Sequence, residues 1–569
     1  MKNFDHWATL SKLMKRGSLA FIDLAFAQSV LKKLGPKEES HAALLATLFA
    51  FSRLGHLALD LSVETLPNSL KVLGIEEADL LISLLHRGAE TFPQAGISVW
   101  ICKWNNYFYL QRNWIQESEL LSHLSRLTQG SPLCTTSTRI CDSKMNALQQ
   151  SAVKKGMQNA FSLLTGGPGT GKTFTAAAIV KGHLDALPLE QKKQFRIILS
   201  APTGKAVAQL EGSLRKELGT QVPVCSGTLH SILGIKSQPY EEEIHPLFAD
   251  LIIVDECSMI DSKIFSRLLA SVQTGTRLIL IGDQDQLPPV EAGSIFADLV
   301  DSELFPTTQL TQCVRSESGE ILSLAKSIRE GSAQEALAFL SHKTEIEWID
   351  LEEEKKPISQ LYTYLWEYCK DKFLPPFIEK PTSEQLLNCF GKFTLLSCMR
   401  KGLLGVDAVN GFFLNQSMRS AMEGQWSVFP IMITRNDPEL QLFNGDHGFI
   451  VRQMTQNFSF RQFQLEDEAL FVDRKGGFKS FPALSLTSFE YSYCQSVHKS
   501  QGSEYGEVLI LAPKGSEVFG REVLYTAVTR AKHKVSLLGS RETLMQLIGR
   551  SSRKISGLRA RLEKGVVGK

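Results

Sequence analysis

The chain has 569 residues, enough for several domains that each bury a core, and its 62 Lys and Arg stand against 60 Asp and Glu, so any nucleic-acid surface must be a local groove rather than a global basic field. Ten cysteines are scattered without a C-x-x-C pair, which indicates neither a zinc ribbon nor a disulfide framework and makes reduced thiols and a cytoplasmic location the expectation. The longest apolar run, residues 42–51, falls far below the ~18 residues of a membrane helix, and residues 1–15 carry no signal-peptide core.

Residues 1–140 alternate helical stretches with short polar breaks, as over 41–61, where apolar residues line more than one face. That pattern predicts a mostly helical N-terminal domain. Within it, residues 99–114 read VWICKWNNYFYLQRNW, aromatic and β-branched residues around an Asn-Asn pair, which is a hairpin pattern. Its aromatics have faces that can stack on bases, but packing against the domain's own helices is the simpler expectation.

From Asn146 the character changes to α/β. Residues 161–165 form a short apolar run suited to a buried parallel strand, and the Ala-rich segment 173–180 should be helical. Between them, Gly166, Gly167, Pro168, Gly169, Thr170 and Gly171 lead into Lys172 and Thr173 and complete GxxxxGK[ST]. The glycines let consecutive N–H groups turn inward around phosphate oxygens at the positive end of the helix, while Lys172 reaches the β and γ phosphates and Thr173 offers Mg²⁺ a hydroxyl. A glycine-rich loop without a ligand is the bland alternative, disfavoured by the strand before it and the helix after it. Further apolar runs at 195–200, 251–254 and 277–281 each end in polar residues, as the strands of a parallel ATPase sheet do. After the first come Thr203 and Lys205, which open a helix and suit a nucleic-acid phosphate. After the second come Asp255 and Glu256, a carboxylate pair able to serve Mg²⁺ and orient a water. Past the third stand Asp283 and Gln286, the glutamine placed to sense a γ-phosphate.

These residues carry a family likeness. The chain resembles the superfamily 1 DNA helicases and, among them, the RecD family, the alpha subunits of exodeoxyribonuclease V (RecBCD). Gln149, in LQQSAV, matches the family's adenine-reading glutamine, and GGPGTGKT, APTGKA, VDECSM and GDQDQLPPVEAG match motifs I, Ia, II and III. LTQCVR (310–315) is similar to motif IV, and the match continues through ITRNDPELQLFNGDHG (433–448), SVHKSQGSEY (496–505) and EVLYTAVTRAK (522–532). HAALLATLFAFSRLGHLALDLS and the hairpin ending in YLQRNW resemble that subunit's leading domain more than that of the longer, free-standing relatives.

The resemblance implies two RecA-like P-loop ATPase domains, one over 141–315 and one over 316–392 with 491–569. It adds the helical domain over 1–140 as a partner-docking module separable from the motor near Thr135, and an inserted small β domain, SH3-like, over 393–490. It implies ATP and Mg²⁺, with Lys172 and Thr173 on phosphate and metal, Asp255 as metal ligand, Glu256 as catalytic base, Gln286 as γ-phosphate sensor, and Arg315 and Arg530 as arginine fingers. Thr203, Lys205, His498, Lys499 and Ser500 would line the single strand. RecB-like and RecC-like subunits would be partners in a heterotrimer that acts on DNA as a 5′ to 3′ helicase in double-strand break repair and homologous recombination, with the nuclease in the partner. A free-standing helicase and a nucleotide-dependent scaffold stay open as alternatives.

Three segments need separate treatment. Where the family has a strand-separating pin, residues 234–246 are short and carry Glu241, Glu242 and Glu243, which repel phosphate, so pin and solvated loop stand level. LEEEKK, 351–356, has the E-x-K spacing of one nuclease class, but no partnered aspartate motif precedes it and a solvated charge run is expected. The basic tail from Arg550 is expected to be a loosely ordered, solubilising end, with a nonspecific DNA contact as the lesser alternative.

Overall fold

Among the described residues strand pairing gives four sheets, and in two of them every neighbour is parallel. The computed structural model describes the chain apart from residues 1–3, 5, 35–37, 76–77, 93–99, 130–144, 220–222, 236–242, 314–318, 341–344, 352–357, 374–375, 390, 455–462, 473–476 and 566–569. Arg315, Glu241, Glu242 and the E-x-K run therefore lie outside the described residues.

The N-terminal helices Ala8–Lys15, Phe21–Leu34, Glu39–Arg53 and Asp79–Thr91 share one core with β1 (Ala58–Asp60), β2 (Ile101–Trp104) and β3 (Tyr107–Leu110). The expected hairpin is β2–β3, closed by Asn105 and Asn106, with Asn105 at φ 51° in the left-handed region that asparagine tolerates.

The first parallel sheet contains β4 (Phe161–Gly166), β5 (Ile197–Ala201), β6 (Val224–Thr228), β7 (Leu251–Val254), β8 (Arg277–Gly282) and β9 (Thr307–Leu310), in the order β6-β5-β7-β8-β4-β9. Its residues alternate between two cores because successive strand side chains point to opposite faces. Leu164, Leu199, Ile253 and Ile281 meet the helices Ala147–Gln158, Lys172–Asp185 and Gly204–Leu218 on one side. Leu163, Ile198, Ile252 and Leu280 meet Ser262–Ser271 and Ile295–Asp301 on the other.

The second parallel sheet begins with β10 (Ile346–Ile349) and β11 (Phe393–Ser397). An antiparallel sheet follows, made of β12 (Trp426–Ile433), β13 (His447–Gln453), β14 (Glu468–Val472), β15 (Phe478–Pro482) and β16 (Phe489–Tyr491). The chain then returns with β17 (Cys494–Ser496), β18 (Tyr505–Leu511) and β19 (Ala531–Leu538), completing the order β10-β19-β18-β11-β17. The fold is thus α/β, with two parallel P-loop-type sheets, a helical N-terminal part and a small β insertion.

Three expectations change. Phe393–Ser397, placed by sequence in the β insertion, pairs in parallel with β17 and β18 and belongs to the second α/β sheet; its apolar FTLLS run is buried on both faces. The helix Gln111–Thr128, assigned to the separable N-terminal domain, sends Leu120, Leu121, Leu124 and Leu127 into the core of the first parallel sheet. A cut near Thr135 would therefore strip that sheet of part of its packing. The tail does not read as a loose end: Leu558–Glu563 is a helix whose Leu558 and Leu562 join the same core. Its buried Arg561 donates to the buried Glu117 (3.1 Å) and stacks on Trp114 at 3.9 Å.

Candidate functional site

The motif residues gather at the carboxyl ends of the first sheet's strands, the edge where parallel sheets present chemistry. Beyond β4 the chain turns through Gly169 (φ 72°) and Gly171 (φ 83°), a region closed to residues with a Cβ except at a cost, and the helix Lys172–Asp185 starts at once. A Cβ on Gly166 would lie 2.7 Å from the Leu310 carbonyl oxygen. Lys172 Nζ donates to Gly166 O (2.8 Å) and Gly167 O (3.1 Å), which keeps the ammonium inside the loop. Thr170 Oγ1 donates to Gly167 O (2.8 Å), and Thr173 and Pro168 line the cleft. Gln149 is buried at the start of Ala147–Gln158, where it forms a capping box with Asn146 and donates Nε2 to Thr170 O (3.3 Å).

Beyond β7 stand Asp255 and Glu256. Glu256 has φ 52°, a left-handed conformation that costs a non-glycine residue ~1–3 kcal/mol and persists where the surrounding structure enforces it. Burial and then the adjacent Glu256 raise the Asp255 carboxyl above its ordinary value, with Lys172 opposing. Beyond β8, Asp283 Oδ1 accepts from Asp285 N (3.1 Å), while Oδ2 accepts from Gln286 Nε2 (3.2 Å) and Tyr525 OH (3.1 Å). Gln286 Oε1 is buried without a hydrogen-bond partner. Such an acceptor is costly unless something donates to it.

The second sheet closes the cleft. Thr526 Oγ1 accepts from Leu287 N (2.9 Å), and the Tyr525 hydroxyl would lie 3.2 Å from a Cβ at Gly167. Buried Arg530 lines the cleft and donates to Thr526 O (3.0 Å), Ser503 O (3.2 Å) and Thr529 Oγ1 (3.4 Å). The cavity so formed, about 470 Å³, has Lys172, Asp255, Glu256 and Gln286 on one wall and Gly502, Glu504, Arg530 and Lys532 on the other. An anion-cradling loop, a crowded carboxylate and an unpaired buried acceptor fit a nucleotide with a divalent cation: cation charge relieves the Asp255–Glu256 crowding, and phosphate oxygens suit the loop N–H groups.

The residues expected on DNA divide. Thr203 Oγ1 caps Gly204–Leu218 by accepting from Ala206 N (3.3 Å), and it lies beside Gly502, where a Cβ would stand 3.9 Å from it. Lys205 points into the nucleotide cleft, donating to Ser503 Oγ (2.7 Å); burial and then Arg530 lower its pKa. Lys499 pairs with Glu490 (2.7 Å), and burial with nearby Lys554 lowers the His498 pKa. Ser500 is wholly buried and its hydroxyl donates to Val497 O (2.8 Å), so it has no surface to offer a strand.

Residues 144–351 match a family described as an AAA domain, and residues 491–538 match the UvrD-like helicase C-terminal domain. The RecBCD enzyme subunit RecD of Mycolicibacterium smegmatis is 32% identical over 474 residues, which cover 80% of this chain and 82% of the relative. The chain belongs to the RecD family. The ATP-dependent RecD2 DNA helicase of Deinococcus radiodurans is 29% identical over 66% of this chain, a stretch that spans 47% of the relative. Among solved structures, the Pif1 helicase from Candida albicans aligns with 74% of this chain and 98% of its own, at 16% identity and a TM-score of 0.41. Membership of a P-loop helicase family implies the use of a nucleotide.

Two residues that join the units beside the cleft carried no separate signal in the sequence of this RecD-family chain. Tyr525 and Thr526 lie in the segment that holds Arg530, but an aromatic within an apolar helix reads as core. Their spacing from Arg530, one turn along the same segment, was the available clue.

Proposed function

We propose that this chain is the ATP-driven 5′ to 3′ helicase subunit of a RecBCD-type complex, with RecB-like and RecC-like chains as partners, working in the cytoplasm on the single strand and duplex end of broken DNA. The observation that carries the motor reading is the cleft itself, whose phosphate loop and carboxylates come from one parallel sheet and whose buried arginine comes from the other. Family membership supports the partners and the polarity.

In this reading the loop N–H groups and Lys172 bind the β and γ phosphates, and Thr173 and Asp255 would hold Mg²⁺, which would supply positive charge to the transferred phosphoryl oxygens. Glu256 takes the proton of the attacking water, and Gln286, oriented by Asp283, offers its free Oε1 to that water. Arg530 turns from Ser503 and Thr526 toward the developing charge, and Arg315 joins it. Because Tyr525, Thr526 and Arg530 share one segment of the second sheet's unit, closure and reopening of the cleft move the two units against each other, and alternating grip on the strand at Thr203, Lys499 and the backbone around Gly502 turns this into stepping. Family membership supports assigning the nuclease to the partner.

The test is ATP turnover with and without single-stranded DNA. The folded chain should be stimulated by DNA, and Lys172→Gln should abolish turnover. DNA-independent turnover, or a folded Lys172→Gln chain of normal activity, would overturn the motor assignment and leave the scaffold alternative.

A further inference from the structure

The C-terminal segment, basic and featureless in sequence, crosses three parts of the fold within a dozen residues. Ser551 Oγ donates to Glu522 Oε1 (2.6 Å), and Ser552 donates N and Oγ to Glu522 Oε2 (2.8 and 3.0 Å), which ties the segment to the helix Gly520–Val528 that leads to Arg530. Arg553 then reaches the first sheet's unit, where its guanidinium donates to Asp301 Oδ2 (2.5 Å), Asp285 Oδ1 (3.2 Å) and Gln284 O (3.3 Å). Lys554 Nζ donates to Leu54 O (2.6 Å) and Ile555 N to His56 Nδ1 (2.8 Å), both in the N-terminal domain.

The middle contact touches the chemistry. Asp285 is the residue before Gln286, and Asp283, on which the Gln286 amide and the Tyr525 hydroxyl depend, lies two residues earlier. Asp283, Asp285 and Asp301 crowd one region: burial first, then Asp283, pushes the Asp285 carboxyl up to about 6, with Arg553 and then Arg329 pulling it down. Arg329 stands at 4.0 Å, beyond a direct hydrogen bond, so the close countercharge is Arg553. Take it away and Asp285 keeps only the more distant Arg329 against the neighbouring Asp283 and Asp301, so the turn loses the contact that ties it down.

We infer that residues 551–563 form a strap that joins the units of the two parallel sheets beside the Asp283–Gln286 turn, in which Arg553 is a positioning residue that fixes this turn and so the aim of Gln286. The inference rests on the motor reading for its catalytic consequence and on contacts alone for its structural one. The strap starts on the unit that carries Arg530, grips the turn that carries Gln286 and ends on Glu117. A change in the gap between the two sheets therefore pulls directly on the turn and on the N-terminal domain, a contiguous physical route rather than mere proximity.

The test uses the full chain with Arg553→Ala, Arg553→Lys and Asp301→Asn. Arg553→Ala should lower kcat for DNA-stimulated ATP turnover about tenfold while KM for ATP changes less than about twofold, because the loss falls on aim rather than phosphate binding. Arg553→Lys, which keeps the charge but not the fork, should fall between Ala and the natural chain, and Asp301→Asn should move the same way by less. Independently of turnover, the amides of Asp285, Gln286 and Leu287 should exchange with deuterium about tenfold faster in Arg553→Ala. Unchanged kcat and unchanged exchange in folded Arg553→Ala overturn the inference, as does a lowered melting temperature with both readouts intact. Should Arg553→Ala fail to fold, natural kcat in both Arg553→Lys and Asp301→Asn overturns it. A natural chain that lacks DNA-stimulated turnover sinks the motor reading instead, and the exchange of the three amides still decides the strap.

Discussion

Arg561→Met tests how the tail is held. The side chains of Glu117 and Arg561 are 0% and 4% exposed, and the carboxylate accepts from Arg561, Tyr109 OH (2.9 Å) and Gly557 N (3.2 Å). Methionine preserves most of the volume but leaves Glu117 charged, buried and served by neutral donors only, which costs ~3–5 kcal/mol, with a further ~2 kcal/mol from the lost guanidinium–Trp114 contact at the upper end for a desolvated pair. Glu117→Gln in the same chain removes the orphaned charge and should restore most of the first loss, since the amide oxygen can accept from Gly557 N while its NH2 donates to the Tyr109 hydroxyl. The pH dependence has a definite sign. Burial raises the Glu117 carboxyl above its ordinary 4.5 and Arg561 is the first group to oppose this. Without Arg561 the folded-state value rises further, so the folded state favours the protonated form. Its stability is intact below the ordinary value and is lost as pH rises through the folded-state value. A chain with several cores does not unfold in one step, so the assay is native-state hydrogen exchange at the Gln111–Thr128 amides across pH. A single-variant deficit below ~1 kcal/mol, or one that Glu117→Gln deepens, would refute the argument.

Arg530→Ala should lower kcat by ~10³ or more with a smaller effect on nucleotide affinity, read by steady-state turnover beside binding of a fluorescent nucleotide; equal losses would make it a ground-state ligand. Gly171→Ala, at φ 83°, should cost ~1–2 kcal/mol in stability and weaken nucleotide binding, because the loop loses the angle that aims its N–H groups; an unaltered Kd would contradict the cradle. A chain beginning at Thr135 should aggregate or lose ATPase activity, since it discards four buried leucines of the motor core worth ~2 kcal/mol each, whereas one beginning just before Gln111 should stay soluble; activity retained from Thr135 would contradict the shared core.

Much of the site was legible because its chemistry is local. The loop 166–173, the pair Asp255–Glu256 and the Asp283–Gln286 turn each follow a buried apolar run, and strand, loop and polar tip are neighbours in sequence. The tail was not legible because its partners are remote: Arg553 meets Asp301 across 252 residues and Arg561 meets Glu117 across 444, and a basic run without its carboxylates reads as solvated. The boundary near residue 393 failed for a related reason. The FTLLS run resembles any core strand, and the turn-rich sequence after it, rather than its parallel pairing with β17 and β18, decided the domain it was given to. Ser500 and Lys205 show the limit of motif transfer, since a motif identifies a neighbourhood, while burial and hydrogen bonds decide which side chains face a ligand.

The most direct measurement is unwinding by the purified chain with ATP and Mg²⁺ on duplexes bearing either a 5′ or a 3′ single-stranded tail, resolved on native and denaturing gels beside Lys172→Gln. The expected result is separation of the 5′-tailed duplex alone, both strands at full length, and none with Lys172→Gln. Separation only from the 3′ tail would contradict the polarity, and strands shortened equally by natural and Lys172→Gln chains would reveal a nuclease centre in a chain assigned none.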